Sequence, residues 1–408
     1  MKLFPHQDKA LDDTYEYNRV AYYLDMGLGK TFVGSEKMWE LNTAYNLVIC
    51  QKSKISDWKE HFESHYDYKV IVFDKQKLDI IPPESVLIVN YDKVWRRPEL
   101  LKLRDFTLML DESSMIKNEK SNRSKFILNL AAENVILLSG TPTGGKYEEL
   151  WSQLYLLGWK INKKLFLKQF VNQEWDDRNQ QFKITGYKNV DRLKHKLRSH
   201  GAIFMKTEEV FNLPMVNDQH VKIPCTKAYK EFKQHHIIQI GEDELIGDTA
   251  AAKKLYLRQL AGFYNQHKLN YVKDLIDSTN DRIIIFYNFK REYEALVSMI
   301  DKPYSTVNGS LKDLTAYEKQ DNSITLIQYQ AGAMGLNLQK ANKIVYFTLT
   351  DKSELFEQSK KRIHRIGQER PCFYYYLLTD GSIEWRMLDV LKERKDYTDA
   401  LFEKEEIS

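Results

Sequence analysis

The sequence predicts an α/β protein that contains two doubly wound parallel sheets, with a helical region between them. Two series of short, wholly apolar runs predict the buried strands of these sheets. Helical or mixed segments separate the runs, as expected for successive βαβ units. The chain of 408 residues has room for two such domains and a third segment. The first series occupies residues 21–24, 47–50, 70–73, 86–89, 108–110 and 135–138, and the second occupies 283–287, 324–327, 344–347 and 373–378.

The region between the two series has a different pattern. It is rich in aromatic and charged residues, and residues 150–157 predict a helix. Residues 170–187 alternate around the polar stretch 176–179 (Asp-Asp-Arg-Asn), which predicts a β-hairpin. The tail, residues 384–408, predicts an amphipathic helix that ends in acidic residues. We therefore expect three segments: an N-terminal lobe over 1–146, an insertion and linker region over 147–275, and a C-terminal lobe over 276–408.

The composition is that of a globular protein without a membrane segment. Hydrophobic residues make up 43% and charged residues 29% of the chain, which is an ordinary balance. No continuous apolar run is long enough to span a bilayer, and the first residues lack the apolar core of a signal peptide. We therefore expect a cytoplasmic protein. A net charge of +4 permits binding to nucleic acid but does not argue for it.

A glycine loop follows the first predicted strand. Residues 27–31 read Gly-Leu-Gly-Lys-Thr and lead into a predicted helix. Backbone N–H groups of such a loop can face a phosphate at the helix N-terminus, where the helix dipole favours negative charge. Lys30 would then contact the β- and γ-phosphates, and Thr31 would bind Mg²⁺ through its hydroxyl. The strict phosphate-loop pattern has glycine where this chain has Leu24, so the match is incomplete. The alternative is that the glycines form only a tight turn between strand and helix and that Lys30 is solvated.

Two carboxylates end a later predicted strand. Asp111 and Glu112 follow the apolar residues 108–110. A phosphoryl-transfer site needs one acid to hold Mg²⁺, for which Asp111 is the candidate, and another to orient or deprotonate the attacking water, for which Glu112 is the candidate. The alternative is two solvated acids at a strand end, and the upstream Lys30 argues against it.

A third set of candidate residues lies near the end of the chain. Gln358, Arg362 and Arg365 have a spacing that predicts projection from one side of a helix, and two guanidinium groups there would face a common partner. The transition state of phosphoryl transfer spreads negative charge over the phosphoryl oxygens, and an arginine directed at it accelerates the reaction by about 10³ to 10⁵. The alternative is the solvated face of a charged helix.

These stretches, taken in order, resemble the motifs of superfamily 2 helicases and translocases, specifically the Swi/Snf-like branch of DNA-dependent ATPases. The resemblance covers nearly the whole chain and implies two RecA-like lobes. The matching stretches are residues 4–7 (Phe-Pro-His-Gln, the glutamine motif), 25–31 (motif I), 49–53 with Trp58 (Ia), 89–91 (Ib), 111–118 (II), 138–142 (III), 285–287 (IV), 331–338 (V) and 358–368 (VI).

The resemblance also assigns roles to residues at the matching positions. The implied catalytic residues are Lys30, Asp111, Glu112, Arg362 and Arg365. The implied ATP contacts are Gln7, Gly27, Gly29, Lys30, Thr31 and Gly335, and the implied Mg²⁺ ligands are Thr31 and Asp111. The implied nucleic-acid contacts are Lys52, Tyr91, Thr141 and Asn337. Motif II departs from the family pattern, because Ser113 and Ser114 stand where relatives carry a histidine that couples the two lobes.

The function implied by the resemblance is ATP-dependent movement on duplex DNA, by a monomer that uses ATP and Mg²⁺. Residues 186–214 are similar to relatives that remodel or anneal forked and branched DNA, and such compact forms are typical of bacteria and their phages. Two alternatives remain open: an RNA helicase, and an ATP-gated scaffold that binds DNA without motor activity. The hairpin near Asp177 could separate strands or serve only as scaffold.

Overall fold

The computed structural model describes residues 2–74, 76–177, 180–332 and 335–403. The chain divides into two compact units: Met1–Val210 together with Asp396–Ser408, and Phe211–Lys395. The predicted middle segment, residues 147–275, is shared between these units, so the three-segment division stays a prediction. Among the described residues, no helix combines the length and the apolar character that a membrane span requires.

The first unit contains nine strands and seven complete helices among its described residues. The strands are β1 (Arg19–Leu24), β2 (Tyr45–Cys50), β3 (Lys69–Val72), β4 (Ser85–Asn90), β5 (Phe106–Asp111), β6 (Asn134–Leu138), β7 (Val171–Asp176), β8 (Gln181–Tyr187) and β9 (Ala202–Met205). The helices are α1 (Pro5–Asp12), α2 (Lys30–Leu41), α3 (Ile55–His65), α4 (Asn122–Leu128), α5 (Trp151–Leu156), α6 (Lys163–Phe170) and α7 (Val190–Arg198).

Seven of these strands form one parallel sheet. The order is β3-β4-β2-β5-β6-β1-β9, and all neighbouring strands run in the same direction. Six of the strands coincide with the apolar runs of the first series, so the predicted parallel sheet is confirmed. Strands β7 and β8 form a separate antiparallel hairpin, as predicted, although residues 178 and 179 of its turn lie outside the described residues.

The second unit has the same type of architecture. Its strands are β10 (Val216–Ile223), β11 (Ile237–Ile240), β12 (Asp243–Ile246), β13 (Ile283–Tyr287), β14 (Tyr304–Val307), β15 (Lys312–Asp313), β16 (Ile324–Gln328), β17 (Lys343–Tyr346) and β18 (Cys372–Thr379). Its helices are α8 (Lys227–His235), α9 (Ala250–Ala261), α10 (Gln266–Asp277), α11 (Lys290–Val297), α12 (Thr315–Lys319), α13 (Tyr329–Gly332) and α14 (Ser353–Lys360). The last helix, α15 (Ile383–Phe402), begins in this unit, and its residues from Asp396 onward belong to the first.

The second sheet has the order β10-β18-β17-β13-β16-β14-β15 and is parallel except for the pair β14-β15. Successive residues of a strand point to opposite faces of a sheet, and here both faces are buried. On β13, Ile284 and Phe286 belong to one apolar cluster, whereas Ile283, Ile285 and Tyr287 belong to another. A parallel sheet covered on both faces is the predicted doubly wound arrangement.

Candidate nucleotide site

The glycine loop of the first unit connects the carboxyl end of β1 to the N-terminus of α2. Gly29 directly precedes the helix and has a left-handed backbone, with φ of 77°. A Cβ atom at this position would lie 2.0 Å from Nε2 of Gln7. Both the backbone angle and the close approach therefore require glycine at position 29. Strand, loop and helix stand in the order that a phosphate-binding loop needs.

The side chain of Gln7 holds this loop in place. Its Nε2 donates a hydrogen bond to the carbonyl of Leu28 at 3.1 Å, and its Oε1 accepts one from the backbone of Phe4 at 2.9 Å. Nε2 of His6 is 3.0 Å from the same Leu28 carbonyl. The predicted contact of Gln7 with adenine stays a prediction. The hydrogen bonds give this buried residue a further role, because they link α1 to the loop.

Lys30 is the first residue of α2, and its ammonium lies among backbone groups at the end of β1. Nζ donates to the carbonyl of Leu24 at 2.9 Å and to that of Asp25 at 3.4 Å. A Cβ atom on Gly140, in the segment after β6, would lie 3.1 Å from Nζ. The lysine is thus placed where the glycine loop and the residues after β6 converge. An ammonium has three donors, so it can exchange carbonyl partners for phosphate oxygens.

Asp25, at the start of the loop, anchors it to the end of the first sheet. Oδ1 of Asp25 accepts from the backbone N–H of Met26 at 2.8 Å, and Oδ2 accepts from the hydroxyl of Thr207 at 3.0 Å. Thr207 is fully buried just after β9. This partner was missed by sequence reasoning, because it lies 182 residues away along the chain.

Asp111 ends β5 at the same edge of the sheet as the glycine loop, since β1 and β5 are parallel members of it. Its Oδ2 accepts a hydrogen bond of 2.9 Å from Nε1 of Trp58, on α3. Burial raises the pKa of Asp111, and the hydrogen bond from Trp58 and the positive charge of Lys30 act in the opposite direction. The charge of Lys30 thus acts on this carboxylate, and the catalytic roles of the two residues stay predictions.

Glu112 follows in a strained conformation. Its φ of 56° places a non-glycine residue in the left-handed region, which is uncommon and is concentrated at functional sites. Oε2 accepts a hydrogen bond from the hydroxyl of Ser139, after β6, at 3.4 Å. The backbone on either side is held by Tyr91, whose hydroxyl donates to the carbonyls of Asp111 at 2.9 Å and Glu112 at 3.4 Å. Tyr91 thus holds the backbone of Glu112, and Ser139 contacts its carboxylate.

The donor set at this site suits Mg²⁺. Thr31 supplies a hydroxyl and Asp111 a carboxylate, and the hydroxyl of Thr31 makes no hydrogen bond within the described residues. Mg²⁺ prefers such oxygen ligands and usually completes its shell with water and substrate phosphates. In the part of the chain that the structure describes, no group of three or more His, Cys, Asp or Glu side chains could hold a metal. With one hydroxyl and one carboxylate, Thr31 and Asp111 fit a Mg²⁺ site completed by water and phosphate oxygens.

A buried glutamine links motif II to motif III within the first unit. Oε1 of Gln153, on α5, accepts hydrogen bonds from the hydroxyls of Ser113 at 2.7 Å and Tyr23 at 3.0 Å. Its Nε2 donates to the carbonyl of Pro142 at 2.7 Å. Gln153 is fully buried. Ser113, which departs from the family pattern, thus takes part in a satisfied polar network within the first unit.

Replacing Gln153 with leucine is expected to lower the free energy of unfolding by at least about 2 kcal/mol. The change leaves the Tyr23 and Ser113 hydroxyls and the Pro142 carbonyl without a partner, and each buried unpaired group costs about 1–3 kcal/mol. Thermal and urea unfolding measure the effect. A triple variant with Tyr23→Phe and Ser113→Ala added removes two orphaned hydroxyls and should recover part of the loss. A loss below about 0.5 kcal/mol for Gln153→Leu would contradict the network.

In the second unit, the predicted helical face of Gln358, Arg362 and Arg365 is wrong. Helix α14 ends at Lys360, and both arginines lie in turns that follow it. The amide of Gln368 stabilises these turns, because its Nε2 donates to the carbonyls of Gln339, Ala341 and Ile363 at 2.8–3.2 Å.

The two arginines have different surroundings. Arg362 is 3% exposed, and its guanidinium donates to the carbonyl of Leu336 at 3.4 Å. Arg365 is half-buried, and within the described residues its guanidinium has neither a hydrogen bond nor an ion pair. Burial lowers the pKa of Arg365 from its usual value. Arg365 is therefore the more accessible of the two, and the predicted catalytic roles of Arg362 and Arg365 stay predictions.

The predicted nucleic-acid contacts differ in accessibility. Lys52, after β2, and Asn337 are exposed. Gly335, which was predicted to contact ATP, is also exposed and has a φ of 70°. The hydroxyl of Thr141 is buried without a hydrogen bond. Tyr91 is 1% exposed and contacts the backbone of motif II. Nucleic-acid binding by these residues stays a prediction, and the contacts of Tyr91 point to a structural role. Residues 333 and 334 of motif V lie outside the described residues.

The fold and the site define the class of protein. A parallel sheet carries a glycine loop with Lys30 after one strand and an Asp-Glu pair after another, which is the arrangement of a phosphate-loop nucleotide-binding domain, and a second sheet of the same type follows. Comparison with known families agrees: residues 24–270 match the SNF2-related domain and residues 267–367 match the helicase conserved C-terminal domain. The first match covers more than half of the chain, which therefore belongs to the SNF2-related family.

The chain is also similar to individual proteins. It is 22% identical to a putative ATP-dependent helicase/translocase, YwqA, of Bacillus subtilis, over 93% of this chain and 46% of that protein. It is 24% identical to the SWI/SNF-related matrix-associated actin-dependent regulator of chromatin subfamily A-like protein 1 of Xenopus tropicalis, over 91% of this chain and 42% of that protein. The chain thus spans less than half the length of these two relatives. The resemblance to the Swi/Snf-like branch is confirmed.

One solved structure with which the chain aligns is the SWI2/SNF2 ATPase core of Sulfolobus solfataricus in complex with double-stranded DNA. The sequences are 20% identical, and the alignment covers 98% of this chain and 92% of the other. The TM-score is 0.47.

Proposed function

We propose that this chain hydrolyses ATP and couples hydrolysis to movement along duplex DNA. The observation that carries the proposal is the convergence of Lys30, Asp111 and Glu112 at one edge of the first sheet, in a member of the SNF2-related family. The finer parts of the proposal are a preference for forked or branched DNA, action as a cytoplasmic monomer and an origin in bacteria or their phages.

The chemistry follows from the positions of these side chains. The loop N–H groups and Lys30 bind the phosphates, and Glu112, directed by Ser139, holds the attacking water and accepts its proton at a carboxylate oxygen. Thr31 and Asp111 would hold Mg²⁺, which would supply positive charge to the phosphate oxygens. We assign a second cation to Arg365 of the second unit, which compensates the charge that develops in the transition state.

Contacts to DNA through phosphates would make binding independent of sequence and sensitive to salt. Lys52 and Asn337 are exposed and available for such contacts. Because DNA affinity would then come from several weak phosphate contacts, we expect no single one of these side chains to be essential for binding.

The proposal is tested by the ATPase rate without nucleic acid and with duplex DNA, single-stranded DNA, forked DNA and RNA. We expect duplex-containing substrates to give the largest stimulation and forked DNA to exceed plain duplex. Stimulation by RNA alone would favour the RNA helicase alternative, and ATP binding without turnover would favour the scaffold.

Movement itself is tested by displacement of a triplex-forming strand from duplex DNA, beside unwinding of forks, four-way junctions and blunt duplexes. We expect triplex displacement and activity on branched substrates, with weak unwinding of long blunt duplexes. Absence of triplex displacement under conditions of rapid ATP turnover would reject translocation, and efficient unwinding of blunt duplexes would indicate a true helicase.

A further inference from the structure

Among the residues that the structure describes, the Asp111 side chain accepts a side-chain hydrogen bond from Trp58 alone, a residue outside the predicted catalytic set. The indole N–H of Trp58 lies 2.9 Å from Oδ2 of Asp111. The two residues are 53 positions apart in the chain, and no spacing argument relates them. Family resemblance places Trp58 in motif Ia, but nothing in the sequence assigns this residue a task.

The indole ring packs against two neighbouring aromatic rings. Trp58 is 3% exposed and shares one face of α3 with His61 and Phe62, at spacings of three and four residues. Its ring stacks on Phe62 at 5.6 Å with an interplanar angle of 25°, and it meets His61 edge-on at 5.8 Å. A ring held in this way cannot rotate without leaving the core, so its N–H has a fixed direction.

An indole N–H is better suited than other polar groups to holding a carboxylate oxygen in place. It donates only, it does not ionise, and it cannot bind a metal. A hydroxyl or an amine at the same place could turn away or compete with the carboxylate for a cation. The hydrogen bond therefore constrains one oxygen of Asp111 while leaving the carboxylate its charge.

We propose that Trp58 is a positioning residue for Mg²⁺: its N–H holds Oδ2 of Asp111 and so sets the orientation in which the carboxylate meets the metal. This inference rests on the proposed function, because it concerns the same site. Groups that orient metal ligands in this way typically change metal affinity by about 10- to 100-fold when they are removed.

The test separates metal binding from nucleotide binding. Fluorescently labelled ADP is titrated into the full chain in excess EDTA, and then at increasing Mg²⁺. For Trp58→Phe, which keeps a packed aromatic ring but removes the N–H, we expect the half-saturating Mg²⁺ concentration to rise by about 10-fold or more, with binding in EDTA changed by less than about twofold. The matched control is Trp39→Phe, since Trp39 is about half exposed on α2 and its indole donates no hydrogen bond within the described residues.

The outcomes distinguish this inference from the proposed function. If the wild-type chain binds no nucleotide at any Mg²⁺ concentration, both are wrong. If wild-type binding depends on Mg²⁺ and Trp58→Phe leaves that dependence unchanged, only the role of Trp58 is wrong. Equal weakening in EDTA and in Mg²⁺, with a lower Tm, would show a merely structural residue and would also overturn it.

A second variant keeps the inference testable if Trp58→Phe does not fold. Incorporation of 3-benzothienylalanine at position 58 replaces the N–H by sulfur and preserves the size and shape of the bicyclic ring. We expect this variant to retain the wild-type Tm and to show the same shift in Mg²⁺ dependence. A wild-type Mg²⁺ dependence in this folded variant would reject the role of the hydrogen bond.

Discussion

Replacing Lys30 with alanine is expected to reduce DNA-stimulated ATP turnover by at least about 100-fold, the scale on which loss of one preorganised charge-stabilising donor acts. Nζ of Lys30 is placed by two carbonyls at the end of β1 and lies beside Gly140, where the phosphates of a bound nucleotide would be. Lys30 is the residue with which α2 begins, directly after the glycine loop, so its ammonium is the one that this loop places beside the phosphates.

The fold should tolerate this change, because the side chain of Lys30 is only partly buried and its two carbonyl partners lie at the end of a strand. The Tm is expected to stay within a few degrees of wild type, whereas a control, Lys59→Ala, removes an exposed lysine on α3 and should leave turnover unchanged. Glu112→Gln is the informative comparison, since it should keep nucleotide binding and lose hydrolysis. A Lys30→Ala variant with more than about half of the wild-type turnover would disprove the site assignment.

The sheets could be predicted because their central strands are uninterrupted apolar runs. A strand such as β13, with five apolar or aromatic residues in succession, is buried on both faces and carries its own signal. Strand β10 lacks this signal. Its residues Asn217, Asp218, Gln219 and His220 are polar, and it pairs with β18 alone at the edge of the sheet. An edge strand with an exposed side has no need of a continuous apolar sequence, so sequence reasoning missed it.

The candidate nucleotide site also contains residues with a local sequence signal and residues without one. Lys30, Asp111 and Glu112 could be predicted because each belongs to a short local pattern. Their supporting partners could not: Trp58 contacts Asp111 from 53 residues away and Gln153 contacts Ser113 from 40 residues away. These pairs depend on the order of strands in the sheet, which local spacing does not contain. The wrong helical face of Arg362 and Arg365 has a related cause, since Gln368 stabilises turns through carbonyls on two separate segments.

The second large effect is expected for Arg365→Ala. Its guanidinium has no protein partner among the described residues, so its removal should leave the Tm unchanged. Nucleotide and DNA binding should also stay near wild type, because we assign this group to the transition state. Turnover at saturating DNA is expected to fall by about 10³-fold or more, as for the loss of an arginine finger. Single-turnover ATP hydrolysis, nucleotide affinity and Tm, measured together, check all three expectations.

Arg362→Ala provides the contrast that tests this division of roles. Arg362 is buried and donates to the Leu336 carbonyl, so its removal should lower the Tm of the second unit as well as turnover. Arg386→Ala, which removes an exposed arginine on α15, is the neutral control. If Arg365→Ala retained full DNA-stimulated turnover, the second unit would supply no cation through this residue. If Arg365→Ala lost turnover only in proportion to a fall in Tm, Arg365 would be a structural residue. Its catalytic assignment would then be wrong, and the Arg362→Ala result would have to be judged by itself.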